Sequence, residues 1–149
     1  MKHINTTHEI QVNYERNYGN SSISNSHSAA ETCRKAFKLS NANLCLKEYF
    51  FIVLLNRANQ VIGYHKLSDG GLNGTVADVR LAFSIGLKCL ASGMIITHNH
   101  PSSSLKPSNQ DQALTNKFVE VGKVMDIKVL DHIILTETGY YSFADNGLL

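Results

Sequence analysis

Two imidazoles, a hydroxyl and a carboxylate fall within fourteen residues at His98-Asn99-His100-Pro101, Ser108 and Asp111. Neutral imidazole suits zinc, a carboxylate can supply a third ligand, and a catalytic site leaves its fourth position open to water. The histidines follow directly on Met94-Ile95-Ile96-Thr97, an apolar run that reads as a buried strand ending in solvent. Side chains at i and i+2 of a strand share a face, so His98 and His100 can aim at one point just past the strand end. Each half of the constellation also has an ordinary explanation. A lone His-x-His is often a partly exposed polar pair at a strand end. Pro107-Ser108-x-x-Asp111 resembles a capping box, with Ser108 at the N-cap and Asp111 at N3. A carboxylate that binds metal there is not expected to cap its own backbone as well, so the two readings of Asp111 compete. Other His-x-His metal sites are excluded. An amidohydrolase barrel needs a much longer chain, the deaminase signature needs H-x-E and P-C-x-x-C, and H-E-x-x-H is absent.

The elements that must position these residues are legible on both sides. Helical spacing covers Ser28 to about Asn43, with Ala29, Ala30, Cys33 and Phe37 on one face. Tyr49-Phe50-Phe51-Ile52-Val53-Leu54-Leu55 reads as a central strand, and Asn56-Arg57-Ala58-Asn59 as a tight turn into a second strand, Gln60 to Lys66. After a turn around Gly70-Gly71 a helix is expected from about Val76 to Ala91, ended by Ser92-Gly93. A loop from Asn99 to Pro107 leads to a helix at about Ser108 to Val124, which Gly122 does little to stop. Ile127 to Leu135 reads as a strand, with Tyr140 to Ala144 as its hairpin partner. Strands interleaved with helices predict an α/β domain. Its first and last strand pairs are antiparallel, and helices cover both sides of a mixed sheet.

Length and composition bound the rest. The 149 residues suggest one folded domain, 28–149, preceded by a polar stretch, 1–27, that forms a tail or, through Ile10 to Tyr14, an edge strand. A net charge of +2 is too small to argue for nucleic acid on electrostatics alone. Cys33, Cys45 and Cys89 are odd in number and scattered, so reduced thiols are expected. With no basic-plus-apolar signal pattern and no apolar run of membrane length, the cytoplasm is the expected compartment and no membrane partner is expected.

The spacing H-x-H, seven residues, S-x-x-D resembles the JAB/MPN metalloproteases, also called JAMM. Thr97-His98-Asn99-His100-Pro101-Ser102, Lys106-Pro107-Ser108-x-x-Asp111-x-x-x-Thr115 and Leu130-Asp131-His132-Ile133-Ile134 resemble, more closely, the bacterial RadC family. So do Leu55-Asn56-Arg57-Ala58-Asn59, Gly74-Thr75-Val76 with Arg80, and Tyr141-Ser142-Phe143. The likeness runs from about Ser28 to Leu149. It implies a mixed, curved β-sheet flanked by helices, the JAB/MPN, cytidine-deaminase-like architecture. It also implies a zinc ion on His98, His100 and Asp111, with water as fourth ligand. Glu48, just before the first core strand, is then the general base, with Glu31 as fallback, and Ser108 hydrogen-bonds the developing oxyanion. Arg80 is either a surface charge or a clamp on the loop. Asp131-His132 is either a structural hydrogen-bond pair or a second shell to a ligand. His3, His8, His27 and His65 have no metal spacing. The chain departs from the family pattern at Ser103, where glycine is usual; if that position needs positive φ, serine is strained. The polar residues before 28 are also too few to form the helix-hairpin-helix region common in RadC proteins.

The resemblance points first to a zinc-dependent peptidase or isopeptidase acting on a protein or peptide amide. The alternatives are a non-catalytic JAB-fold module for protein or DNA contacts, and metal-dependent chemistry on nucleic acid, suggested by the family's DNA-repair name. No basic stripe or aromatic platform supports the last. Loop Ser102–Lys106 and the stretch Ser68–Asn73 are the expected rims of the cleft. Neither substrate nor oligomeric state can be read from them.

Overall fold

A computed structural model describes Asn13, residues 20–70 and residues 76–149. The edge strand expected at Ile10–Tyr14 and the motif residues Gly74 and Thr75 lie outside the described residues. Helix α1 runs Ser26–Leu39, two residues earlier than its apolar spacing predicts. Asn25 takes the N-cap: its Oδ1 accepts the Ser28 N–H at 2.8 Å while Ser28 Oγ accepts the Asn25 N–H at 3.1 Å. It also stops short of Asn43, because Asn41 turns left-handed at φ 53° and ends the ladder.

Strand β1, Tyr49–Leu55, is buried along its whole length. The turn after it closes on Asn56, whose Oδ1 accepts the N–H groups of Ala58 and Gln60, with Asn59 at φ 55°. Strand β2 then continues from Val61 to Asp69, three residues beyond the predicted end. Helix α2, Val79–Lys88, is shorter than expected at both ends. Asp78 caps it by accepting the N–H groups of Arg80 and Leu81, and Leu90 at φ 54° follows its close. Strand β3 is Gly93–Asn99, helix α3 is Asn109–Met125, β4 is Lys128–Leu135 and β5 is Tyr140–Ser142.

The five strands form one mixed sheet in the order β2-β1-β3-β4-β5. β1 pairs antiparallel with β2 and with β3, β4 with β5 likewise, and β3 and β4 are parallel with α3 as the crossover between them. Strand alternation divides the core in two. Phe51, Val53, Leu55 and Ile95 pack under α1, while Phe50, Ile52, Leu54, Met94 and Ile96 pack under α2 and α3. The predicted α/β mixed sheet with helices on both faces is what the chain builds.

One difference bears on the site. β3 extends past Thr97 to include His98 and Asn99, so His98 lies inside the sheet, paired with Phe50 of β1 and Ile134 of β4. It is fixed on both sides by ladder neighbours, not held at a free strand end.

Gly122 sits inside α3, where the helix presses on the approach to β4. A Cβ there would meet the Ile127 carbonyl oxygen at 2.5 Å, and Ile127 N–H donates to the Gly122 oxygen at 3.0 Å. Alanine ordinarily stabilises a helix interior by roughly 0.5–1 kcal/mol over glycine. Here the sign reverses. Gly122→Ala is expected to destabilise by about 1–3 kcal/mol, the usual result of overpacking a tight contact. Urea unfolding checks this, and an unchanged or raised midpoint would show that α3 rides free of the Ile127 backbone.

Candidate metal centre

β3 carries His98 and Asn99 to the end of the sheet on opposite faces, and His100 follows as the chain turns out. His98 is 2% exposed, whereas the side chains of His100 and Asp111 are 11% and 17% exposed, so the cluster opens to solvent on one side only. His98 Nε2 lies 3.0 Å from His100 Nε2 and 3.2 Å from Asp111 Oδ1, and His100 Nε2 lies 3.5 Å from Asp111 Oδ2. An ion about 2.0–2.1 Å from each of its tetrahedral ligands separates them by about 3.3 Å. The three side chains therefore fit one small divalent ion, and among the described residues they are the group able to hold one.

Each of the three side chains is held from behind. His100 N–H donates to Leu135 O at 2.9 Å, continuing the β3–β4 ladder past the strand, and its Nδ1 donates to the Ser104 carbonyl at 2.7 Å. A carbonyl only accepts, so His100 Nδ1 carries the proton and Nε2 presents a lone pair. The loop that supplies Ser104 turns at Ser103, which has φ 65°, the left-handed region that glycine tolerates best. Serine is strained there, as its place in the pattern suggested. Leu105 rests on the turn between β4 and β5, where a Cβ on Gly139 would lie 3.5 Å from its Cδ1. Arg34 of α1 fixes that turn by donating to Thr136 O at 2.9 Å and Gly139 O at 3.0 Å.

Asp111 resolves the competition between its two readings. Ser108 caps α3, its Oγ accepting the Asp111 N–H at 3.0 Å, while Asp111 Oδ2 accepts the Ser108 N–H at 2.7 Å. Oδ1 of the same carboxylate is the atom nearest His98 Nε2. Oδ2, which completes the capping box, also lies 3.5 Å from His100 Nε2 while Oδ1 faces His98, so capping leaves the carboxylate turned toward both histidines. Burial opposes charge on Asp111, but its contacts with the His100 and His98 imidazoles outweigh it and hold the carboxyl far below the usual carboxylate range. Burial likewise opposes a charged His100, yet its bonds to Asp111 and Ser104 prevail and raise its pKa above the ordinary imidazole value.

The remaining expected residues separate clearly. Glu48 is half-buried just before β1, two residues ahead of Phe50, whose ring stacks on His98 at 5.8 Å with 4° between planes. Its charge contributes to raising the pKa of His100. Lys47 beside it engages Asp69 at 2.5 Å. Glu31 is exposed on α1 beside His27, Arg34 and Tyr140, outside the cluster. Arg80 is a surface charge in the groove between α2 and α3 with Phe83, Lys117 and Met125. His27 and His65 are exposed and apart from the cluster, and His3 and His8 lie outside the described residues. Asp131 and His132 do not form a side-chain pair: Asp131 Oδ1 accepts the backbone N–H of His132 at 2.7 Å and Oδ2 accepts the Ser142 hydroxyl at 2.6 Å. His132 turns to the other face and meets His98, its Nε2 2.8 Å from His98 Nδ1.

Asn99, expected as the first residue of the loop, ends β3 instead, and its side chain holds the backbone around Glu48. It is fully buried, its Oδ1 accepts the Tyr49 N–H at 2.8 Å, and its Nδ2 donates to Leu44 O and Lys47 O at 2.9 Å each. These bonds grip the backbone on both sides of Glu48. A signal was present: a buried amide between two ligands faces away from them and must find its own partners.

If Asp111 is a ligand as well as a cap, Asp111→Asn separates the two roles. The amide oxygen can still accept from Ser108, so thermal stability is expected to stay within about 1 kcal/mol of the parent. The amide nitrogen then faces the histidines and metal is lost. Elemental analysis after metal reconstitution checks this, and undiminished stoichiometry in the variant would leave Asp111 a cap alone.

A family model described as the RadC-like JAB domain matches residues 23–148. A UPF0758 protein of Flavobacterium johnsoniae is 50% identical over 101 residues, 68% of this chain and 44% of that protein. UPF0758 proteins of Alkaliphilus metalliredigens and Porphyromonas gingivalis are 41% and 40% identical, over 69% of this chain and 44% and 46% of their own lengths. The chain thus spans less than half the length of these relatives. With the match extending through the three helices and five strands of the described residues, the chain belongs to the RadC-like JAB domain family.

Proposed function

We propose that the domain is a zinc-dependent peptidase or isopeptidase that hydrolyses an amide bond of a protein or peptide in the cytoplasm. The observation that carries this reading is the convergence of two imidazole nitrogens and a carboxylate within 3.5 Å, at the first turn of the helix that Ser108 caps. His98, His100 and Asp111 would hold the ion, which when bound acidifies water toward a pKa of about 7 and polarises a carbonyl. Membrane residence has no support, since among the described residues no helix is long and apolar enough to cross a bilayer.

The protein's own groups divide the remaining work. Glu48 takes the proton from the attacking water and returns it to the amine that leaves, so the proton count closes without another acid. Asn99 keeps that carboxylate in register with the ligands by holding Lys47 and Tyr49. Ser108 Oγ already accepts from Asp111 N–H, which leaves its proton to donate to the carbonyl oxygen as negative charge develops there. The N-terminus of α3 adds a favourable dipole at the same place.

Glu48→Gln is expected to bind zinc at parental stoichiometry while hydrolysis falls by about 10²–10⁴-fold, the usual contribution of a positioned general base. The measurement is mass spectrometry of new peptide termini after a proteome-derived peptide mixture meets zinc-loaded parent, zinc-loaded variant and chelated parent. Cleavage in the first sample alone supports the proposal. Zinc bound at full stoichiometry with no new termini in any sample would leave a non-catalytic metal module.

Proton and metal also compete for His100 Nε2, whose pKa is raised. Zinc affinity should therefore level off above that raised pKa and weaken as the pH falls through it. Zinc titrations between about pH 6 and about pH 8 read this, because imidazole titrates across that range. A flat affinity there would remove His100 from the ligand set.

A further inference from the structure

Behind the metal face, His98 Nδ1 lies 2.8 Å from His132 Nε2, His132 Nδ1 lies 2.6 Å from Thr115 Oγ1, and Thr115 Oγ1 lies 2.6 Å from the Asp111 carbonyl oxygen. Three contacts thus join a residue of β3 to one of β4, then to α3, and return to the backbone of the carboxylate ligand. His132 and Thr115 are both completely buried.

The proton positions along this chain are fixed from its far end. The Asp111 carbonyl can only accept, so the Thr115 hydroxyl donates to it. The Thr115 oxygen must then accept, and the proton on that contact belongs to His132 Nδ1. A buried imidazolium without a carboxylate partner is costly, so His132 is neutral and its Nε2 carries a lone pair. That lone pair requires a proton on His98 Nδ1. His98 Nε2 is left with its lone pair directed at His100 and Asp111.

We infer that His132 and Thr115 are positioning residues for the metal centre, which hold His98 in the tautomer that can ligate a cation. The inference rests on the reading that His98 is a ligand. It goes beyond that reading by assigning the ligand's protonation pattern to a helix hydroxyl that touches none of the three donor atoms' metal-facing side. The bland alternative is that His132 serves only as core filling, stacked on Phe143 with ring centroids 4.4 Å apart. Under that alternative the Thr115 hydroxyl can be replaced by a methyl at no cost to metal.

Thr115→Val keeps the volume and removes the hydroxyl. His132 Nδ1 then loses its acceptor, and the opposite tautomer places a proton on Nε2 toward His98. His98 in turn places its own proton on Nε2, where metal should bind. Zinc affinity, read by competition with a chromogenic chelator, is expected to fall 10–100-fold, the usual effect of losing an outer-shell partner, and Thr115→Ser to restore it. A Thr115→Val protein that keeps its circular dichroism and binds zinc within about twofold of the parent would overturn the inference.

The variant is backed by a measurement on the parent protein before metal is added. Long-range nitrogen–proton correlation spectra of the imidazoles are expected to show Nδ1–H on both His98 and His132. Nε2–H on either ring would overturn the relay even if the variant fails to fold. Failure of the parent to take up zinc defeats the metal reading instead, and the tautomer spectrum still decides the relay.

Discussion

Two imidazole nitrogens and a carboxylate brought within hydrogen-bond distance of one another form an arrangement that needs a shared proton or a cation among its electron pairs. His98 and His100 turn nitrogens toward each other at 3.0 Å, with both oxygens of Asp111 close behind. Like lone pairs repel at that distance, and the repulsion must be met either by a proton or by a metal ion. The rest of the domain can be understood as the apparatus that keeps the three donors facing one another: a strand inside a sheet for His98, a ladder bond and a carbonyl for His100, and a helix cap for Asp111. None of the three rests on a side chain free to swing away.

The same apparatus explains why the site stands where it does. β3 and β4 run parallel, and the crossover between them is α3, whose first turn therefore returns to the carboxyl ends of the two strands. In parallel α/β units that is where ligands gather. The helix N-terminus favours the Asp111 carboxylate electrostatically, and Ser108 at the cap stands beside the cluster. Close packing of α3 around Gly122 brings helix and sheet near enough for Thr115 to reach His132. A site of this kind depends on the core behind it as much as on its own residues.

Much of this was readable before any fold was known, and what was not has a physical reason. The apolar runs and the capping residues located every element, though the ends of α1 and α2 moved inward or outward with caps at Asn25 and Asp78 that apolar spacing does not register. His98, His100 and Asp111 were legible because their separation in sequence is short. That Asp111 caps α3 and faces both histidines at once was not, since it depends on where the two oxygens of a folded carboxylate point. The partnership of His98 with His132 was open only as an alternative, because it requires the lateral register of β3 against β4, which no local pattern encodes. Asn99 was read as a loop residue for a similar reason: its three partners lie about fifty residues back along the chain.

The loop between the two halves of the motif is tied down at a few points and exposed elsewhere. Its fixed points are the His100 backbone, the Ser104 carbonyl, the Leu105 side chain on the β4–β5 turn, and the cap at Ser108. Ser102 and Lys106 stand in solvent between them. A backbone carbonyl orients a histidine whatever side chain its residue bears, so substitution at Lys106 leaves the His100 contact in place, whereas Ser102 Oγ also accepts the Ser104 N–H at 3.4 Å. The outer surface of the loop can therefore drift at such a position without moving the cluster beneath it. The outline of the surface and the geometry of the cluster are in that sense separately heritable in this domain.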